Sequence, residues 1–241
     1  GSIAPHAQAA RDAGVHLYSN AGDTATALAH ARDGATCVVM QGSDAGGHTG
    51  DRASVFSLVP QARSALDAAG LGETLLIAAG GVSDGRGLAA SLALGADAAV
   101  LGTRLAAALE SDYTLAQKEA LVATGCGAEG TTIGTGIDAL RGIDRHSSGM
   151  PGRCLANKST RLVKAWEAAA ADADGGAATR AALMAQHAQG VAAEGEGREW
   201  GATWAGASVG LVGSIQPAAE IVEEVVAEAA AVIRRSASLV A

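Results

Sequence analysis

His48 stands where a side chain can exchange a proton, inside the run Gln41-Gly42-Ser43-Asp44-Ala45-Gly46-Gly47-His48-Thr49-Gly50. Imidazole is the one side chain whose ordinary titration falls near neutral pH, so a histidine among glycines reads as a base or a polar orienting group. The competing reading is a structural loop histidine bonded to backbone carbonyls. Asp44 could orient the loop, but is expected to be solvated. Two further places carry glycines of the same kind, Gly80-Gly81 and Gly102-Thr103. Consecutive backbone amides beside a helix amino terminus attract an anion, and Ser83 or Asp84 is placed to cap a helix there. Each pair taken alone is explained by a tight strand-to-helix turn. Both pairs together, with a histidine loop on the strand before them, outline a phosphate-binding constellation.

The elements that must position these loops repeat a strand, loop, helix cycle. Val15 to Ser19 reads as a strand, Asp23 as the cap of a helix running to about Arg32, and Gly34 as its stop. Thr36 to Met40 is a short apolar run rich in β-branched residues, so His48 lies just past a strand's carboxyl end. The glycine loop leads through Pro60 to a helix across Gln61 to Ala69, ended by Gly70. Leu75 to Ala79 is the third strand, followed by a helix across Arg86 to Leu94 that stops at Gly95. Ala98 to Leu101 is the fourth. Strands alternating with helices at this spacing imply βαβ units and a parallel sheet, and strands apolar throughout are expected to be buried on both faces. A barrel wall and a doubly wound open sheet both fit. The carboxyl ends of such strands are where ligands bind.

After Glu110 no strand repeat is expected to continue. Helical stretches at Tyr113 to Ala123, Thr160 to Ala171 and Ala177 to Gln189 alternate with loops, and Asp172 to Gly176 and Glu194 to Gly197 read as exposed turns or linkers. Thr131, Thr132, Gly134, Thr135 and Gly136 read as a polar loop. The last helix has Pro217 at its first turn, Glu220, Glu223 and Glu224 near its amino end and Arg234 and Arg235 at its carboxyl end. Ile221, Val222, Val225, Val226, Val232 and Ile233 are its expected buried stripe. Three regions follow: 1–110 with the βα units, 111–200 as a helical substrate or cap region, and 201–241 as a loop and final helix packing back.

Bulk properties narrow the chemistry. The 241 residues are 49% hydrophobic, enough for a sizeable core, with a formal charge of -8 that argues against nucleic acid or an anionic membrane as partner. Three cysteines, Cys37, Cys126 and Cys154, are odd in number and widely spaced, which fits a reducing, cytoplasmic setting and no CxxC metal site. His6, His16, His30, His146 and His187 lack metal-ligand spacing and read as surface or helix residues. No run approaches a membrane span, and the amino terminus shows no signal pattern.

Three pieces of the chain resemble the nitronate monooxygenase family, formerly the 2-nitropropane dioxygenases. They are QGSDAGGHTG, IAAGGVSDGRGLAASLALGADAAVLGTR from Ile77 to Arg104, and WAGASVGLV from Trp204 to Val212 with PAAEIVEEVV behind it. The resemblance implies an FMN-dependent (β/α)8 TIM barrel, of which this chain would hold the C-terminal half, four parallel βα units followed by a helical region. It implies that Gly80, Gly81, Gly102 and Thr103 hold the FMN phosphate, that Gln41, Gly46 and Gly47 lie along the flavin, and that His48 faces its reactive edge beside the substrate. The implied reaction converts a nitronate and O2 to a carbonyl compound and nitrite, with His48 acting as base on neutral nitroalkanes. Ala207 stands where many relatives have glutamine, and Asn20 near a lysine position. A half barrel would leave an apolar sheet face uncovered, so a missing amino-terminal half or a homo-oligomer is the expected partner. An FMN-dependent enoyl-acyl-carrier-protein reductase and a non-catalytic remnant are the alternatives.

Overall fold

A computed structural model describes residues 2–49, 53–125, 130–143, 151–170, 176–197 and 199–239. Gly50, Cys126, His146, Ala171 and most of the Asp172 to Gly176 linker lie outside these residues. The described chain divides into two compact units, Gly1–Ala45 with Gly50–Gly102 and Val222–Ala241, and Gly46–Thr49 with Thr103–Ile221.

The first unit is α/β. Strands β1 (Tyr18–Ala21), β2 (Cys37–Gln41), β4 (Leu75–Ala79) and β5 (Ala98–Val100) form a parallel sheet in the order β1-β2-β4-β5. Its register runs Asn20 to Val39, Val39 to Ile77 and Ile77 to Ala98. Helices α1 (Ala4–Asp12), α2 (Thr24–Asp33), α3 (Val55–Ala68) and α4 (Gly85–Ala93) accompany it. Local chemistry sets the boundaries: the Asp23 carboxylate accepts the Thr26 N–H at 2.8 Å, and α2 ends at Gly34 with φ +106°. Asp84, rather than Ser83, caps α4, accepting the Gly87 N–H at 3.0 Å. β1 begins three residues later than the apolar run Val15 to Ser19 suggests, because Val15 closes the turn after α1 by bonding the Ala10 carbonyl.

α3 corrects the expected start at Gln61. It begins at Val55 with Pro60 inside it, because the Asp44 carboxylate accepts the Val55 N–H at 2.9 Å and so supplies a partner for the helix's first free amide. Asp44 is therefore an organiser of the loop, not a solvated residue. Leu58, Val59, Ala62 and Leu66 of α3 join Val38, Met40, Leu76 and Ala78 of the sheet in one core.

The strands are not buried on both faces. β1 alternates, with Ser19 and Ala21 buried and Tyr18 and Asn20 exposed. On the face away from the core Tyr18 is 59%, Leu75 45% and Val100 43% exposed, with Val39 and Ile77 half-buried between them. Among the described residues, Tyr18, Leu75 and Val100 on this face stay open to solvent, whereas the opposite face forms the core.

In the second unit two strands follow Glu110 where only helices and loops were expected, though they do not extend the parallel strand-helix repeat. β3 (Gly47–His48), β7 (Gly152–Leu155) and β6 (Thr131–Gly134) form a small antiparallel sheet in the order β3-β7-β6. The supposed polar loop at Thr131 to Gly134 is thus a strand, as its Thr-Thr-Ile run favours. Helices α5 (Thr103–Ala106), α6 (Leu115–Val122), α7 (Ile137–Leu140), α8 (Lys158–Ala170) and α9 (Ala177–Glu194) and a 3-10 turn (Ala207–Leu211) complete the unit. Thr114 and Gln117 close a capping box on α6. Trp166 and Val163 pack with Ile137, Leu140 and Cys154.

The final helix, α10 (Ala218–Ala237), carries Glu220 in its first turn and Arg234 and Arg235 in its last. Its buried line is Ile221, Val225 and Ala229, whereas Val222, Val226 and Ile233 are exposed; the stripe is narrower than its valine content suggests. No described helix is long and apolar enough to cross a membrane.

Candidate functional site

Within the first unit, Gln41 ends β2 opposite Ala79 of β4, and the chain then turns into the glycine loop. Gly80 and Gly81 follow β4 with φ of +111° and +74°, a left-handed backbone that other residues rarely adopt. A β-carbon on Gly80 would stand 2.8 Å from the Ala45 amide nitrogen, so this glycine admits the loop backbone itself. Gly81 faces Asp44 at an ordinary 3.4 Å, and among the described residues nothing lies within 4 Å of the β-carbon position of Gly102. The amides of Gly85 and Gly87 at the start of α4 are already bonded, to Glu228 at 2.7 Å and to Asp84 at 3.0 Å.

Within the second unit, His48 lies on β3, paired with Gly152 of β7, which is in turn paired with Gly134 of β6. Its ring is held on two sides. Nε2 lies 2.6 Å from Oδ2 of Asp138 on α7, and the ring centroid is 5.1 Å from that of Trp204 at a 45° tilt. Asp138 is buried, with 8% of its side chain exposed against 28% for His48, so the carboxylate is the more enclosed partner of the pair. Arg141 stands 3.5 Å from the other Asp138 oxygen. Trp204 occupies the space a side chain at position 152 would need, since a β-carbon there would be 2.5 Å from the indole. The Tyr113 hydroxyl donates to the Trp204 carbonyl at 3.2 Å, and burial pushes that phenol up, which keeps it a donor.

The segment after Trp204 ties the remaining residues together. A β-carbon on Gly46 would lie 2.6 Å from the Ala205 carbonyl carbon and the Gly206 nitrogen, and Gly206 donates its N–H to the Thr103 hydroxyl at 2.8 Å. Gly46, His48 and Thr103 are thus gathered on Trp204-Ala205-Gly206. Arg104, next in the chain, is buried and donates to the Ser214 carbonyl at 3.0 Å and to Gln216 at 2.6 Å, a tether rather than a ligand group.

Asp138 was not singled out by the sequence reading. Its signal is an acid between Ile137 and Leu140 in an apolar turn, a position where a carboxylate is buried only with a partner. Among the described residues no cluster of His, Cys, Asp or Glu is arranged to hold a metal ion. Cys154 of β7 is no nucleophile: burial pushes its thiol up to about 12. Iodoacetamide at pH 8 is expected to leave the Cys154 peptide unlabelled until denaturant is added; labelling of the native chain, read by peptide mass spectrometry, would contradict the packing around β7.

Comparison with known proteins places this arrangement among relatives. The sequence model described as nitronate monooxygenase matches residues 4–228. A nitronate monooxygenase of Neurospora crassa is 31% identical over 237 residues, covering 92% of this chain and 56% of its own. The structure of a nitroalkane oxidase from Streptomyces ansochromogenes matches at a TM-score of 0.70 and 30% identity, over 94% of this chain and 60% of that one. FabK from Thermotoga maritima matches at a TM-score of 0.77 over 99% of this chain and 68% of its own, but at 24% identity, a likeness of fold. The chain spans about half the length of the curated relatives it matches.

Proposed function

The chain belongs to the nitronate monooxygenase family, and from that premise we propose that it serves the flavin-dependent oxidation of nitronates, and of neutral nitroalkanes, by O2 to a carbonyl compound and nitrite. The observation that carries the reading is His48, an imidazole fixed on two sides yet with 28% of its side chain exposed. A group fixed in place and open to a small molecule is what proton abstraction requires.

FMN is the group proposed to be bound, and when bound it supplies the electron acceptor for the nitronate. The residues present fit its phosphate in part. Gly102, past the carboxyl end of β5, has room beside its backbone among the described residues, whereas the β-carbon side of Gly81, past the neighbouring β4, meets Asp44 and that of Gly80 meets Ala45. Gly80, Gly81 and Gly102 would hold the phosphate through their backbones, with the Thr103 hydroxyl donating a further bond. Gln41, Gly46 and Gly47 would border the flavin. His48 takes the proton from the carbon beside the nitro group, and neutral imidazole is the competent form near pH 7. The four βα units are read as part of a (β/α)8 barrel completed by further strands. The uncovered sheet face at Tyr18, Leu75 and Val100 supports this.

The test is direct. The chain supplied with FMN is expected to gain flavin absorbance and to release nitrite from propionate-3-nitronate in step with O2 uptake. A chain that takes up no flavin would sink the reading for these residues alone. Oxidation of NAD(P)H dependent on an enoyl thioester would move it to the reductase class.

A further inference from the structure

We propose that Asp138 is a positioning residue for His48, holding the imidazole in place as its Nε2–H tautomer. The inference deepens the reading of His48 as a base and rests on it. An ionised carboxylate only accepts hydrogen bonds, so in the 2.6 Å contact between Asp138 Oδ2 and His48 Nε2 the proton belongs to the ring nitrogen. In neutral imidazole a proton on one nitrogen leaves the other as acceptor, and the partner of the first decides which tautomer exists.

Three features make the pairing specific. Asp138 is 6% exposed, so water competes little for its oxygens. Arg141 stands 3.5 Å from Oδ1, turning the carboxylate so that Oδ2 presents to the ring. β3 is locked to β7 at Gly47 to Arg153 and His48 to Gly152, and the Thr49 N–H donates to the Pro151 carbonyl at 3.0 Å. The backbone that carries the imidazole and the helix that carries the carboxylate are each fixed independently of the bond between them. The Trp204 ring, 5.1 Å away, limits rotation of the imidazole without offering a competing acceptor.

The test uses the full chain with 15N-labelled histidine, and the His48 signals are identified by their loss in His48→Gln. The wild-type protein at a pH where His48 is neutral is expected to show the Nε2–H tautomer. Asp138→Asn, whose amide can donate as well as accept, and Asp138→Ala are both expected to give a mixture or the Nδ1–H form. In turnover of a neutral nitroalkane, Asp138→Asn is expected to lower kcat by about 10- to 100-fold, the scale of loss when the carboxylate partner of a metal-ligating histidine is removed, with KM changed little and Asp138→Glu recovering part of the loss. An Nδ1–H tautomer in the wild type would overturn the proposal, as would a tautomer indifferent to both substitutions or an Asp138→Asn variant with unchanged kcat. The wild-type tautomer is read whether or not a variant folds. A chain inactive on nitronates that still shows the Asp138-dependent tautomer counts against the nitronate reading and for the pairing.

Discussion

His48→Ala is expected to lower turnover of a neutral nitroalkane by about 10²- to 10⁴-fold, the range a positioned general base contributes. The same variant should lose far less with a nitronate supplied already deprotonated, because that substrate arrives without the proton His48 removes. The comparison separates chemistry from damage: a loosened loop would harm both substrates equally, whereas loss of the base harms the nitroalkane selectively. Flavin absorbance, measured beside turnover, should match the parent chain, whereas the thermal transition should fall because the buried Asp138 carboxylate loses its imidazole partner. Equal losses on both substrates would show that His48 works on something other than the proton, and full nitroalkane turnover would remove it from the chemistry.

The second large effect is expected at Gly46, where the obstacle is backbone rather than side chain. A β-carbon there would stand 2.6 Å from the Ala205 carbonyl carbon and the Gly206 nitrogen, and neither can swing aside. Gly46→Ala must push the loop off the 204–206 segment, at a cost of about 1–3 kcal/mol in stability by analogy with overpacked cores. It must also move His48 two residues on, and a misplacement of about 1 Å can cost on the order of 100-fold in rate. Gly47 is the control. It has φ +76° and, among the described residues, nothing within 4 Å of its β-carbon position, so Gly47→Ala carries the left-handed backbone penalty of about 1–2 kcal/mol with no backbone clash to displace His48. Urea unfolding and nitroalkane turnover of the two variants should therefore diverge in rate more than in stability. Identical rates would show that Ala205 and Gly206 do not set the position of the imidazole.

The parts of the fold that could be read from sequence are those whose causes are local. Asp23 and Asp84 cap the helices beside them, Gly34 and Gly95 stop helices at positive φ, and Leu75–Ala79 is a strand with the bounds its apolar run suggests. What could not be read depends on partners far along the chain. The sheet that holds His48 pairs Gly47 with Arg153, and no window around either residue contains the other. Asp138 meets His48 across 90 positions and looks in sequence like an ordinary acid in a short helix. α3 shows the same limit: Pro60 suggests a helix beginning there, but Asp44, 11 residues before Val55, starts it earlier. Of the residues named for the site, the histidine and its glycines were visible as types, while the tether that orients the histidine was not.

The uncovered face of the parallel sheet has a calorimetric consequence. Unfolding raises heat capacity mainly by bringing apolar surface into water, about 0.45 cal/K/mol per Å², and only surface hidden in the native state can contribute. Tyr18, Leu75 and Val100 are already about half hydrated in this chain, so their share of that increment has been spent before unfolding begins. A chain in this condition has a flatter stability curve than its length implies and a gentler denaturant dependence. Covering the same face would sharpen both.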